Sequence, residues 1–139
     1  MIKRYSRKKI SEIWEEKNKY KIWLDIEIAA TQAMEKIKLI PRGVAYKFKK
    51  KSRIDVDRIN IIEKKVKHDV IAFLTSISEK MGKESIYLHK GMTSSDIIDT
   101  AFNIQLIQAG QILLTDIDKI LKTLKSKANK FKYTICIGR

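Results

Sequence analysis

The sequence has few of the residues that interrupt helices or cross-link small folds. It contains one cysteine, one proline and five glycines among 139 residues. A single cysteine excludes an internal disulfide and a cysteine-based metal site, and so little proline and glycine argues against a loop-rich β protein. No apolar run approaches the roughly 20 residues that span a bilayer, and residues 1–6 have no apolar signal-peptide core. We therefore expect a cytoplasmic protein without a membrane segment.

Acidic residues are also scarce relative to basic ones. There are 30 lysines and arginines against 16 aspartates and glutamates, which gives a formal net charge of +14. Such a charge can mark a nucleic-acid partner. The lysines are nevertheless spread over every segment beside many isoleucines, as in a genome rich in A and T codons, and the densest basic run, residues 47–53, is short. We therefore favour a solvated surface over a phosphate-tracking patch and expect no nucleic-acid partner.

Apolar residues at helical spacing account for much of the remaining sequence, which is 44% hydrophobic and 33% charged. Steps of three or four residues predict amphipathic helices and an all-α fold. Pro41 should end the longest of the early helices, either Asp55 or Asp57 could be an N-cap, and Gly82 is a candidate C-cap. The helices are predicted near residues 7–14, 15–39, 44–50, 55–66 and 70–82.

A much longer helix is predicted from Ser95 to about Lys130. Its apolar stripe from Ile98 to Ala128 steps 4-4-3-4-4-3-4-4, an 11-residue repeat that stays on one face of a straight helix. A helix of roughly 50 Å cannot bury that stripe against the short helices before it, so it needs partners that the chain does not contain. We expect a helical domain over residues 1–92 and the first long helix of a central bundle over residues 93–139. The apolar run at residues 133–139 carries no stop signal, so we expect an N-terminal piece of a larger protein.

Residues 89–96, His-Lys-Gly-Met-Thr-Ser-Ser-Asp, lead directly into this helix. Unpaired backbone N–H groups and the helix dipole favour an anion there, so the segment is interpreted as a carboxylate-binding loop. Thr93 and Asp96 also fit a capping box, which needs no ligand. His68 can likewise be a surface histidine at a helix boundary, with Asp69 capping the next helix. Both interpretations remain open on the residues alone.

The form His-x-Gly-x-Thr-Ser-x-Asp in residues 89–96 resembles a signature of the fumarase/aspartase superfamily, in its adenylosuccinate lyase branch. Three other segments resemble the same branch in the same order. They are the opening Arg4-Tyr5-Ser6, the Lys-His-Asp-Val-x-Ala-Phe pattern within residues 65–73, and the run at residues 133–139. The resemblance implies an all-α enzyme with a homotetrameric core of long helices, and active sites built from several subunits.

The resemblance also implies a reaction and a set of site residues. The reaction is a β-elimination that cleaves adenylosuccinate to AMP and fumarate, and the succinocarboxamide ribotide SAICAR to AICAR and fumarate, without a cofactor or metal. A general-acid histidine and a catalytic serine would follow Arg139, so this piece alone should be inactive. Many relatives have arginine where Lys67 stands, so the cation is kept but the bidentate fork is lost. The implied substrate contacts are Arg4, Tyr5, Lys67, His68, Asp69, Thr93 and Ser94, with His68 also catalytic and His89 as an auxiliary.

Two other classes of function remain open. A basic helical module that binds nucleic acid would lose affinity steeply with salt. A helical interaction fragment would instead use its long apolar helix to pair with another chain. Neither class explains why residues 67–69 and 89–96 occur together in this order.

Overall fold

The computed structural model describes residues 2–138, apart from the side chain of Lys3, and contains only helices and connecting segments over that range. The predicted all-α class is confirmed. Three short 3-10 helices cover Lys3–Tyr5, Glu12–Trp14 and Gly82–Tyr87. The α-helices are α1 (Lys8–Ser11), α2 (Glu16–Lys36), α3 (Val44–Lys51), α4 (Val56–Val66), α5 (Asp69–Ser78) and α6 (Ser94–Phe131).

Helix α2 ends before Pro41 is reached. Lys38 has a φ of 62°, its N–H bonds to the carbonyl of Glu35, and the N–H of Leu39 reaches back to Met34 at 2.9 Å. This is a Schellman motif with lysine in the position that glycine usually takes. The helix therefore stops through its own C-cap, and Pro41 only prevents it from resuming.

Two other predicted boundaries had different outcomes. Asp55 is the N-cap of α4, since its carboxylate accepts from the backbone N–H of Arg58 at 3.0 Å. The prediction that Gly82 caps α5 was wrong, because α5 ends at Ser78 with Glu79 as its C-cap. Gly82, with a φ of 69°, instead opens the 3-10 helix Gly82–Tyr87.

The core of the first 92 residues is centred on three aromatic rings from two helices. Tyr20 and Trp23 of α2 meet edge to face at 5.3 Å, and Phe73 of α5 stacks on Tyr20 at 5.9 Å and meets Trp23 edge-on at 5.4 Å. Phe48 of α3 and Ile59 of α4 are buried in the same cluster. Helices α2 to α5 thus close one core with their own side chains.

Helix α6 has 38 residues, about 57 Å at 1.5 Å per residue, and only its first turns pack on this core. Ile97, Ala101 and Gln105 are its buried residues. The side-chain amide of Gln105 donates to the carbonyl of Ile13 at 2.7 Å, and that of Asn18 donates to Gln108 at 3.0 Å. The apolar stripe is exposed, as predicted, because no other described helix covers it. Its exposed members are Ile98, Phe102, Leu106, Leu113, Ile117, Ile120 and Leu124.

By length and composition, α6 is the one helix within residues 2–138 that could cross a membrane. Polar residues interrupt the apolar runs of α6, so no unbroken apolar run is long enough to span a bilayer. The mean hydropathy of the helix nevertheless stays apolar. Asn103, Gln105 and Gln108 lie along its apolar half, and such amides need partners that lipid does not supply. Two of these amides bond to the first 18 residues instead.

The domain division at residue 92 stays a prediction.

Candidate substrate-binding site

The segment before α6 makes a turn that needs two left-handed residues. His89 has a φ of 59° and Gly91 a φ of 73°. The glycine adopts this conformation freely, whereas the histidine does so at a steric cost. The N–H of Met92 bonds back to the carbonyl of His89 at 3.3 Å. The turn delivers Thr93 to the N-cap position of α6.

Thr93 and Asp96 form a capping box, as their spacing predicts. The backbone N–H of Thr93 donates to Asp96 Oδ2 at 2.8 Å, and the Thr93 side chain accepts from the backbone N–H of Asp96. Accepting this bond leaves the hydroxyl hydrogen of Thr93 able to donate elsewhere. Ser94 follows at the first position of the helix and is half-buried. The capping geometry is therefore compatible with binding an anion, and the binding role stays a prediction.

Glu27 of α2 holds the turn through hydrogen bonds to His89. One of its carboxylate oxygens accepts from the backbone N–H of His89 at 2.9 Å, and the other lies 2.8 Å from His89 Nδ1. Burial raises the pKa of Glu27, and the hydrogen bonds from His89 act in the opposite direction. Glu27 was not among the predicted site residues. A signal was available, because Glu27 stands one turn from both Trp23 and Thr31 on the buried face of α2.

Residues 67–69 form the break between α4 and α5. Lys67 has a φ of 54° and ends α4 through a 2.8 Å bond to the carbonyl of Glu63. The interpretation of Asp69 as the cap of α5 was wrong: His68 is the N-cap, and its Nδ1 accepts from the N–H of Ile71 at 3.4 Å. The Asp69 side chain accepts from the N–H of the adjacent Val70. Both side chains are partly exposed, with Nδ1 of His68 3.7 Å from Asp69 Oδ1.

Arg4 and Tyr5 form the group nearest the start of the chain. They belong to the 3-10 helix Lys3–Tyr5, both are exposed, and the Arg4 guanidinium lies 4.8 Å from the centre of the Tyr5 ring. Arg7 forms an ion pair with Asp116 of α6. Asp116 is about 35 Å along α6 from Thr93 at 1.5 Å per residue, so the N-terminal pair is well separated from the capping box.

The seven implied substrate contacts are therefore not brought together within one chain. Asp69 lies near Tyr20, whose pKa is raised to about 12 mainly by burial and further by neighbouring carboxylates. His89 binds Glu27. Glu27 lies two turns after Tyr20 on α2, about 10 Å from it along the helix axis. An open groove of about 500 Å³ between residues 7–18 and α6 contains none of the seven. The candidate residues form three separate groups, 4–5, 67–69 and 93–94, with His89 beside the last.

Comparison with known proteins identifies the class of protein to which this chain belongs. A family model described as "Lyase" matches residues 3–139. Since that match covers nearly the whole chain, the protein belongs to this lyase family.

The similar curated proteins indicate which branch of the lyase family this chain resembles. Adenylosuccinate lyases of Aquifex aeolicus, Streptococcus mutans and Thermotoga maritima are 44%, 42% and 40% identical to it, and each match covers 100% of the chain. The resemblance to the adenylosuccinate lyase branch is thus confirmed. The chain spans only 32% of the length of each of these relatives.

A solved structure supports the fold independently. The fumarate lyase from Mesorhizobium sp. BNC1 superimposes with a TM-score of 0.82 over 91% of this chain and 31% of its own. At 22% identity the likeness bears on architecture alone. It agrees with the arrangement of short helices followed by one long helix.

Proposed function

We propose that the full-length protein carrying this chain is an adenylosuccinate lyase of purine biosynthesis. It would cleave adenylosuccinate to AMP and fumarate, and SAICAR to AICAR and fumarate, by β-elimination. The observation that carries the proposal is the turn at residues 89–92 that sets Thr93 and Ser94 at the N-terminus of α6. The full-chain similarity to curated adenylosuccinate lyases supports it.

The N-terminus of α6 suits the succinyl end of such a substrate. A carboxylate gains hydrogen bonds from hydroxyl groups and from first-turn N–H groups, and the helix dipole favours its charge. When a proton leaves the carbon beside that carboxylate, the negative charge on its oxygens grows. Donors that are already fixed in place stabilise the growing charge most effectively. We assign this role to Thr93 and Ser94.

The other two groups suit the nucleotide end and the reacting centre. Arg4 can hold a phosphate through its guanidinium fork, with Tyr5 beside it. Lys67, His68 and Asp69 would line the remaining part of the site, and His68 would take part in catalysis. A protein with a net charge of +14 also attracts an anionic nucleotide over longer distances.

Because Arg4 and Tyr5 are well separated from the capping box within one chain, we propose that several copies complete each site. The exposed stripe of α6 is a large apolar surface of the kind that marks an interface. Packing the α6 helices of a homotetramer against one another would cover it and could bring groups from different copies together. We place this assembly in the cytoplasm, as the sequence composition suggests.

The proposal is tested by following fumarate release from adenylosuccinate by absorbance. The full-length protein should turn over, whereas residues 1–139 alone should not, because the proton-transfer groups implied by the resemblance follow Arg139. When catalytic groups act as a unit, removing any of them abolishes most of the rate enhancement. A full-length protein that is folded but releases no fumarate would refute the proposed reaction. Turnover by the 139-residue chain alone would refute the assignment of roles.

A further inference from the structure

Among the side chains that the structure describes, Glu27 is the only charged one that is fully buried, with an exposure of 1%. Burying a carboxylate is costly unless its oxygens receive hydrogen bonds. Here both oxygens are used, and both bond to a single residue, His89. Nothing in the family resemblance assigns a role to Glu27.

The two bonds fix different properties of His89. The bond to its backbone N–H holds the main chain in the left-handed conformation that opens the turn to Thr93. The bond to Nδ1 fixes the orientation of the ring. When Glu27 is ionised its carboxylate has no hydrogen to donate, and the hydrogen of this second bond is then on Nδ1. In the neutral ring, Nε2 then carries the lone pair.

We propose that Glu27 is a positioning residue that holds His89 in the Nδ1–H tautomer, so that Nε2 accepts a hydrogen bond from an N–H or O–H group of the substrate. This inference rests on the proposed function of the loop. The His89 side chain keeps 19% of its surface exposed, so it is fixed from one side and still accessible to a ligand.

His68 provides an internal contrast. Its Nδ1 accepts from the N–H of Ile71, so in the neutral ring its hydrogen is on Nε2. The two histidines of the chain therefore hold opposite tautomers. His68 presents a donor at Nε2, whereas His89 presents an acceptor.

The substitution Glu27→Gln separates positioning from simple space-filling. Glutamine has nearly the same shape, but it offers only one acceptor oxygen together with an amide that donates. With its oxygen kept by the backbone N–H, its amide would donate to His89 Nδ1 and move the ring hydrogen to Nε2. Glu27→Asp keeps two acceptor oxygens on a shorter side chain and should retain the tautomer.

The kinetic test uses the full-length protein with Glu27→Gln, Glu27→Asp, His89→Ala and the double variant Glu27→Gln/His89→Ala. Glu27→Gln should lower kcat about 10- to 100-fold, by analogy with the range found for groups that orient metal-bound histidines, with Glu27→Asp intermediate. The double variant should be no slower than His89→Ala alone, because Glu27→Gln keeps the bond to the backbone N–H and alters only the contact with that ring. Additive losses would overturn the proposal.

Glu35 provides the matched control. It lies on the same helix, and its Oε1 accepts from the backbone N–H of Ala45 at 2.7 Å, without contact to a histidine. Glu35→Gln should leave kcat and KM unchanged while removing the same charge. An equal loss of kcat in this variant would reduce Glu27 to a structural residue.

A readout independent of turnover uses 15N NMR of the histidine-labelled full-length protein above neutral pH. His68→Asn and His89→Asn variants identify the two signals. We expect Nδ1–H for His89, Nε2–H for His68, and a change to Nε2–H for His89 in Glu27→Gln. Nε2–H in unmodified His89 would overturn the inference even if the enzyme is active. An inactive full-length protein whose His89 is Nδ1–H would refute the proposed reaction and leave the tautomer assignment intact.

Discussion

The first turns of α6 and its later turns have similar apolar content and very different surroundings. Ile97 and Ala101 are buried against the N-terminal helices, whereas Leu113, Ile117 and Leu124 are at least half exposed. The apolar period alone cannot distinguish these cases, because it fixes which residues share a face and not what covers that face. The difference shows that one face of the first turns of α6 belongs to this chain's own core, while the exposed stripe and the later turns are suited to pack against something else.

The largest expected effect is on stability, and two phenylalanines allow buried and exposed apolar residues to be compared. Phe73 is fully buried between Tyr20 and Trp23, whereas Phe102 is 51% exposed and touches Trp14. Phe73→Ala should lower the free energy of unfolding by about 3–5 kcal/mol, and Phe102→Ala by less than about 1 kcal/mol in the 139-residue chain. Urea denaturation measures both. Equal losses would mean that the exposed face of α6 is as well packed as the core.

The docked end of α6 should be sensitive in rate rather than in stability. In the full-length protein, Thr93→Ala or Ser94→Ala should reduce turnover about 10²- to 10³-fold, the usual cost of losing one donor to a growing charge. A capping role alone predicts a loss of about 1 kcal/mol of stability for Thr93→Ala with near-normal kinetics. Melting temperature and turnover are measured on the same variants. Normal turnover with a lowered melting temperature would leave the segment a helix cap.

The undocked end should govern association. Leu113→Glu with Ile117→Glu places two charges on the exposed stripe, so self-association of the chain should fall while its helix content stays the same. Light scattering and circular dichroism follow the two properties. Asp99→Glu, at an exposed position on the docked half, is the conservative control. A monomeric unmodified chain at high concentration would contradict the bundle role of α6.

The smallest effect concerns an exposed ion pair that joins α4 to α5. Arg58 Nε donates to Glu79 at 3.0 Å and a second guanidinium N–H donates to the other oxygen, which holds the pKa of Glu79 below its usual value. The pair therefore stabilises the fold above the ordinary glutamate pKa of about 4.3, and this contribution is lost as the pH falls through the lower, folded value. Glu79→Gln should lower the melting temperature slightly at pH 7 and not at all in strong acid. A difference that persists in acid would assign the effect to packing.

Local interactions account for what the sequence could predict. The Asp55 cap and the Thr93–Asp96 box depend on residues three apart, so spacing alone identifies them. The Schellman end of α2 was missed because lysine, not glycine, occupies its left-handed position. Glu27 was missed because its partner His89 is 62 residues away, a separation that no periodicity reports. The predicted stripe begins at Ile98, while the face that packs on α2 begins one residue earlier, at Ile97, because the docked surface was chosen by tertiary contacts.

The left-handed residues have a consequence for how this protein could change under selection for stability. Among residues 2–138, the non-glycine residues with positive φ are Lys38, Lys67 and His89, and each would be less strained as glycine. At Lys38 such a replacement removes only strain. At Lys67 and His89 it would also remove a side chain that we place in the substrate site. Glycine at position 89 would also leave a buried oxygen of the Glu27 carboxylate without its Nδ1 partner, a cost that offsets the strain removed. A screen for heat resistance alone should therefore enrich glycine at positions 38 and 67, whereas one that also demands turnover should enrich it only at position 38.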